Sequence, residues 1–240
     1  MRADCLIIQE RTCNTVSRDS NDRIILCQPD NTKGCSLCCG LFNFTDISPE
    51  SLRGFLEQGR GREEAFPTHN EYRESAKVRD LCSHICPYQG FLSEEKPGCL
   101  IHPLSSGIDG RWRSLFASKI CGEFFCPAHT ILSDEEKKYL IENVSNWYHY
   151  SAAIADPESF SFIFNYVKDN FSVTADSSMQ RVLLEEGLSA HAENLAYYEG
   201  AIFFYSIPEY NINKKYFSIK YINKSRELVV SRIEKALSAV

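Results

Sequence analysis

Long apolar runs are missing from this chain of 240 residues. None approaches the about 20 consecutive apolar positions of a membrane-spanning helix. The amino-terminal Leu6-Ile7-Ile8 yields to Gln9 and Glu10 well before a secretory hydrophobic segment could form, so a soluble, cytoplasmic chain with no membrane partner is expected. Positive charge is also in short supply: the formal net charge is −6, and residues 1–130 alone carry 15 Lys+Arg against 17 Asp+Glu. Phosphate recognition needs a concentrated basic face, so no nucleic-acid partner is expected either. Nor does the sequence contain a Gly-rich phosphate loop, a G-x-S-x-G elbow, an H-E-x-x-H helix, an internal repeat or a low-complexity tract.

No cysteine follows position 126. Eleven are present in all, and eight of them fall between positions 35 and 126. With 43% hydrophobic and 24% charged residues, a chain of this length can bury a core without disulfides. In a reducing cytosol its thiols stay unpaired, and an odd cysteine count fits a metal site better than a fully paired framework.

The cluster opens with Gly34-Cys35-Ser36-Leu37-Cys38-Cys39-Gly40 and continues through Cys82, Cys86, Cys99, Cys121 and Cys126. The gaps Cys35-x2-Cys38 and Cys82-x3-Cys86 each place two thiolates on one tight turn, where a soft cation accepts both at about 2.3 Å. Successive residues of an extended chain point to opposite sides, so the adjacent Cys38 and Cys39 either serve two metals or leave one of the pair to pack. Eight thiols exceed the needs of one tetrahedral ion. Two all-thiolate zinc sites are one arrangement. The other is a four-cysteine subset holding one ion or an iron-sulfur cluster, with the remaining thiols or His102 at an open position. His102 follows Cys99 by three residues, His129 follows Cys126 by three, and His84 lies between Cys82 and Cys86. A lone histidine is more often a surface or hydrogen-bonded residue than a ligand. The spacing does not match the ferredoxin C-x2-C-x2-C-x3-C run, which favours zinc.

Upstream, Leu6-Ile7-Ile8 and Arg23-Ile24-Ile25-Leu26 read as hairpin arms that deliver Cys27 toward the cluster, with Cys5 and Cys13 as partly buried small hydrophobes on the first arm. Leu41-Phe42-Asn43-Phe44 reads as a strand. Ser48-Pro49-Glu50 then starts a short helix with Leu52, Phe55 and Leu56 on one face and an end near Gly59-Arg60-Gly61. A polar loop follows to Asp80. Gly98-Cys99-Leu100-Ile101-His102 reads as a turn feeding a short strand, and Phe124-Phe125 as a wall against water.

Beyond residue 130 helical signals take over. Ser133-Asp134-Glu135-Glu136 is a capping box ahead of Leu140, Ile141, Val144, Trp147 and Tyr148 on one face. Asp156-Pro157-Glu158 caps a helix with Phe160, Ile163, Phe164 and Val167 inward. Met179, Val182 and Leu183 mark a third helix, broken or bent near Gly187. Residues 201–205 and 216–222 look strand-like, and a last helix after Asn223-Lys224-Ser225 buries Val229, Ile233, Ala236 and Leu237.

Five features in order resemble the YkgJ-like cysteine-cluster family, described as zinc- or iron-chelating proteins. They are Cys35-Ser36-Leu37-Cys38-Cys39, the Thr45-Asp46-Ile47-Ser48-Pro49-Glu50 turn, Cys86, Cys99-Leu100-Ile101-His102-Pro103, and Cys121-Gly122-Glu123-Phe124-Phe125-Cys126. The resemblance spans residues 27–130 and implies chelation without a reaction. Two departures accompany it. The family's leading motif is C-x3-C-x2-C-C, and position 31 is Asn, so the first cysteine is either lost or supplied by Cys27 across a longer loop. The Arg-Pro of the family after the Cys99 segment gives way to Ser105-Ser106-Gly107-Ile108-Asp109-Gly110.

The expected architecture is α+β, with an irregular cysteine-rich metal-binding lobe over residues 1–130 packed on a mainly helical region over 131–240. The expected function is metal-ion binding, zinc before iron, through Cys35, Cys38, Cys39, Cys82, Cys86, Cys99, Cys121 and Cys126, in a structural or chelating role. Two alternatives stand beside it. One is a metalloenzyme with an open iron or zinc site near Tyr88, His102, Glu123 or His129, Glu123 being the first candidate for general acid or base. The other is a thiol redox or metal-delivery protein that exchanges disulfide or cation through Cys38-Cys39.

Overall fold

Ser48 lies just before the first helix, with its backbone N–H held by Asp46 Oδ1 at 2.9 Å and its hydroxyl accepting the Ser51 N–H at 3.3 Å. The computed structural model describes residues 22–65, 71, 85–114, 121–171, 177–196 and 219–239. Among these the fold is α+β and mainly helical, with eight α-helices and one two-stranded antiparallel sheet. Helix α1 spans Pro49–Ala65, and strands β1 (Gln89–Ser93) and β2 (Lys96–Cys99) form a hairpin. After it come two short helices, α2 (Pro103–Ser106) and α3 (Ala128–Ile131). The long elements are α4 (Asp134–Asn143), α5 (Trp147–Ala155), α6 (Pro157–Asn170), α7 (Ser177–Ala196) and α8 (Ile219–Ser238). No helix among the described residues is long and apolar enough to cross a membrane.

The first helical stretch of α1 ends at Gly59 as expected: the backbone leaves helical geometry there, at φ 10° and ψ −97°, and a second helical stretch continues beyond the kink to Ala65. The reason is a close crossing. A Cβ on Gly90 of β1 would lie 3.0 Å from the Gly59 Cα, so glycine on both sides lets helix and strand meet. The expected strand over 41–44 is instead a 3-10 turn, Leu41–Asn43, because Gly40 turns the chain into the left-handed region at φ 82°. Of the second expected hairpin arm and the 41–44 strand, single bridge positions at Ile24 and Phe44 remain.

In the helical region the capping box is present: Ser133 Oγ accepts the Glu136 N–H while Glu136 returns to the Ser133 N–H at 2.7 Å. Trp147 and Tyr148 are not on that helix. Asn146 caps a separate one, its side chain accepting the N–H groups of Tyr148 and His149, so α4 and α5 are distinct. Asp156 and Pro157 start α6, whose Phe160, Ile163, Phe164 and Val167 are buried as expected. Helix α7 runs unbroken through Gly187, which is a packing contact: a Cβ there would meet Ile163 Cγ2 at 2.8 Å and Ile233 Cδ1 at 3.1 Å. Helix α8 already begins at Ile219, so residues 219–222 are helical and not strand. Val182 and Leu237 are exposed, while Leu183, Val229 and Ile233 are buried.

One continuous apolar core crosses residue 130. Ile24, Leu26, Leu41, Phe42, Leu52 and Leu56 belong to the same cluster as Leu140, Trp147, Tyr150, Ile154, Phe160, Leu184 and Ile233. The Leu6-Ile7-Ile8 arm, Cys5, Cys13, Cys82, His84 and the strand expected over 201–205 lie outside the described residues.

Candidate thiol-rich site

Four short stretches of backbone bring the cysteines together. The Cys35 N–H donates to the Cys27 carbonyl at 2.9 Å, closing a loop whose turn is set by Asp30 Oδ1 accepting the N–H groups of Thr32 and Lys33, each at 2.7 Å. The Leu37 N–H then donates to Cys35 Sγ at 3.3 Å. On the far side of the knuckle, the Cys86 N–H donates to the Cys39 carbonyl at 2.7 Å. Gln89, fully buried, clamps this junction, its Nε2 donating to the carbonyls of both Cys39 and Cys86 at 3.0 Å. The β hairpin pairs Gln89 with Cys99. Arg111, locked to Asp109, donates to the Cys121 carbonyl at 3.1 Å, and Ser114 Oγ lies 3.0 Å from Cys121 Sγ.

The helical region fixes the other edge. Leu26 donates its N–H to His129 Nε2 at 3.1 Å and accepts the Tyr150 hydroxyl at 2.8 Å, and Tyr148 donates to the Ile47 carbonyl at 2.6 Å. A cavity of about 10 Å³, room for a single water-sized atom, lies between Cys27, Cys35, Cys38, Cys126 and His129, with Leu26, Leu37, Phe124 and Ile154 as apolar walls. Phe124 thus lines the space as expected, and Phe125 packs edge-on against His129 at 4.9 Å.

All eight described cysteines, Cys27 among them, are outside any disulfide. Electrostatics divides them into two neighbourhoods. Burial, then the charges of Cys126, Cys38 and Cys35, push Cys27 well above the ordinary thiol range, and burial does the same for Cys35. Cys126 is pushed up to about 12, chiefly by burial, with His129 Nδ1 at 3.4 Å from its sulfur. On the second side Cys99 is pushed up to about 12 and Cys121 upward, both mainly by burial and both feeling Cys86 and Cys38. Cys38 moves the other way: the thiol of Cys39 hydrogen-bonds to it and lowers it, while Cys39, bonded to Cys38 and then Cys86, is raised. Adjacent Cys38 and Cys39 therefore connect the two groups.

Seven of the eight expected ligands, Cys35, Cys38, Cys39, Cys86, Cys99, Cys121 and Cys126, are neighbours here, and Cys82 lies outside the described residues. Neighbourhood is not convergence. Among the described residues no group of three or more His, Cys, Asp or Glu is arranged to hold a metal ion. The two findings agree physically, because charges inside a protein interact over many ångströms whereas a metal–sulfur bond requires about 2.3 Å. The donor set suits a soft cation by its chemistry.

The histidines are already engaged. His102 Nδ1 accepts the Leu104 N–H at 3.1 Å and caps α2, so it offers an ion no lone pair unless that cap is given up. His129 uses Nε2 on Leu26. Glu123 is exposed and, like Tyr88 and His102, is not among the cavity walls. Gln89 and Tyr150 left no signal in the sequence, since their roles are contacts across 50 and 124 residues. The presence of Cys27 eight residues before Cys35 was the available signal for the first neighbourhood. No family model matches this chain, and neither a curated protein nor a solved structure matches it.

Proposed function

We propose that this is a metal-ion binding protein whose amino-terminal thiolates take a soft cation, zinc before iron, in a structural or chelating role. The observation that carries the reading is the gathering of eight unpaired thiols from separate stretches of chain into one region, all but Cys121 at least partly buried. Apolar packing alone does not require so many cysteines in one place. A bound cation reverses the effect of burial, since a coordinated thiol gives up its proton. Two sets follow from the neighbourhoods: Cys27, Cys35, Cys38 and Cys126 around the small cavity, and Cys39, Cys86, Cys99 and Cys121 beyond it.

The resemblance of Cys35-Ser36-Leu37-Cys38-Cys39 and its downstream cysteines to the YkgJ-like family supports the same chelating role. The reducing cytoplasm, which keeps thiols unpaired, is the compartment that suits it. Elemental analysis and an absorption spectrum of protein purified without air test the reading. One or two equivalents of zinc, colourless, are expected; a brown visible band would replace zinc by iron. Protein that carries no metal and takes up neither zinc nor ferrous iron would end it.

A further inference from the structure

We propose that a cavity in the helical region, separate from the thiols, binds a small zwitterion with an apolar body, the chemistry of a free branched-chain or aromatic amino acid. Helices α4, α6 and α7 leave between them a space of about 290 Å³, near the lower end of the about 300–1,000 Å³ of small-ligand sites. Its floor is Phe164, Val167 and Leu184, all buried. Tyr139 stands over Phe164, the rings edge-on at 5.3 Å.

The Tyr139 hydroxyl is removed from solvent yet has no hydrogen-bond partner among the described residues. A buried tyrosine usually finds one. Burial, and then the charge of Glu185, push this phenol up to about 12, so it remains a donor at neutral pH. The rim supplies charge of both signs. Lys168 and Glu135 satisfy each other at 2.7 and 2.8 Å. Lys138 and Glu142, one turn apart on α4, line the same space and have no partner among the described residues.

An unpaired ammonium and an unpaired carboxylate at one mouth complement a carboxylate and an ammonium on one ligand. A plain anion would instead meet Glu142 with like charge, and a plain cation would meet Lys138. The apolar floor sets the body, because glycine would leave Phe164 and Leu184 uncovered.

Ligand-observed NMR and calorimetry on the full chain test this, using L-leucine and L-phenylalanine beside glycine and the N-acetyl and amide forms of both. Saturable binding of the unmodified amino acids is expected, with each blocked form weaker by about tenfold. Lys138→Ala and Glu142→Ala, both at exposed positions, should each weaken it by about tenfold. Three results would overturn the proposal: no saturable binding at millimolar concentration, blocked forms binding as well as the zwitterion, or binding unchanged in the Lys138 and Glu142 variants.

Discussion

His129 accepts the Leu26 N–H through Nε2, joining residues 103 positions apart in the chain. With Nε2 as acceptor, the neutral ring carries its proton on Nδ1 and donates it toward Cys126 Sγ at 3.4 Å. Substituting His129→Phe keeps a ring against Phe125 but leaves a buried N–H unpaired. The expected cost is about 1–3 kcal/mol, read as a lower midpoint in denaturant unfolding. An unchanged midpoint would show that water replaces the bond.

Cys27 stands outside the C-x2-C-C knuckle yet shares its cavity with Cys35, Cys38 and Cys126. Cys27→Ser should therefore lower bound zinc as much as Cys35→Ser does. If the two sets are separate, Cys38→Ser and Cys39→Ser each remove one equivalent, and the double variant removes both. Full zinc content in the Cys27 variant would exclude that thiol from coordination.

Gln89 donates from a fully buried position to two carbonyls, Cys39 and Cys86, that come from stretches of chain far apart in sequence. Gln89→Leu conserves much of the volume but takes the side-chain donor from the Cys86 carbonyl and leaves the Cys39 carbonyl with the Cys86 N–H alone, so a loss of about 1–3 kcal/mol is expected. Because those carbonyls belong to Cys39 and Cys86, zinc affinity should fall as well. Stability lost with affinity intact would make Gln89 a scaffold residue only.

His191 sits fully buried in α7, and neither ring nitrogen has a hydrogen-bond partner among the described residues. Asp156 Oδ2 is 3.8 Å away, and His149, 3.4 Å from Glu185, is the other titrating neighbour. Burial outweighs Asp156 and holds the ring below its ordinary value of 6.5. The unfolded chain thus takes up a proton that the fold refuses until lower pH. Stability is full above the unfolded value and declines as pH falls toward the folded one. His191→Leu should flatten that decline and, by removing two unpaired nitrogens, be neutral or stabilising near pH 7. Urea midpoints at about pH 7.5 and about pH 5.5, spanning the range where histidine titrates, would refute this if wild type and variant fell in parallel.

Gly187→Ala sets helix propensity against packing. Alanine gains about 1 kcal/mol in a helix interior, but its methyl would sit 2.8 Å from Ile163 Cγ2, a branch methyl with little freedom to move. Overpacking of this kind costs about 1–3 kcal/mol. Net destabilisation is expected; a raised melting temperature would mean that α6 and α8 yield easily.

Local chemistry was legible in the sequence and long-range contact was not. The capping box at Ser133, the Asp156-Pro157 start and the inward face of α6 are written in adjacent residues, and all are found. The periodicity from Leu140 to Tyr148 concealed a break, because Trp147 and Tyr148 fall in phase with α4; Asn146, a good cap, was the clue. Gly187 suggested a bend, and only its tertiary partners explain why the helix continues. At the candidate site the knuckle spacing announced Cys35, Cys38 and Cys39. The contributions of Gln89, Tyr150 and His129 depend on backbone groups far away in the chain, which no local pattern encodes.

The peptide of Leu26 is gripped from both sides by groups that follow it by more than a hundred residues. A ribosome therefore delivers every cysteine before it delivers Tyr148 and Tyr150. The nascent thiol loop emerges without the anchors that set its register, and its final placement waits until α5 has been made.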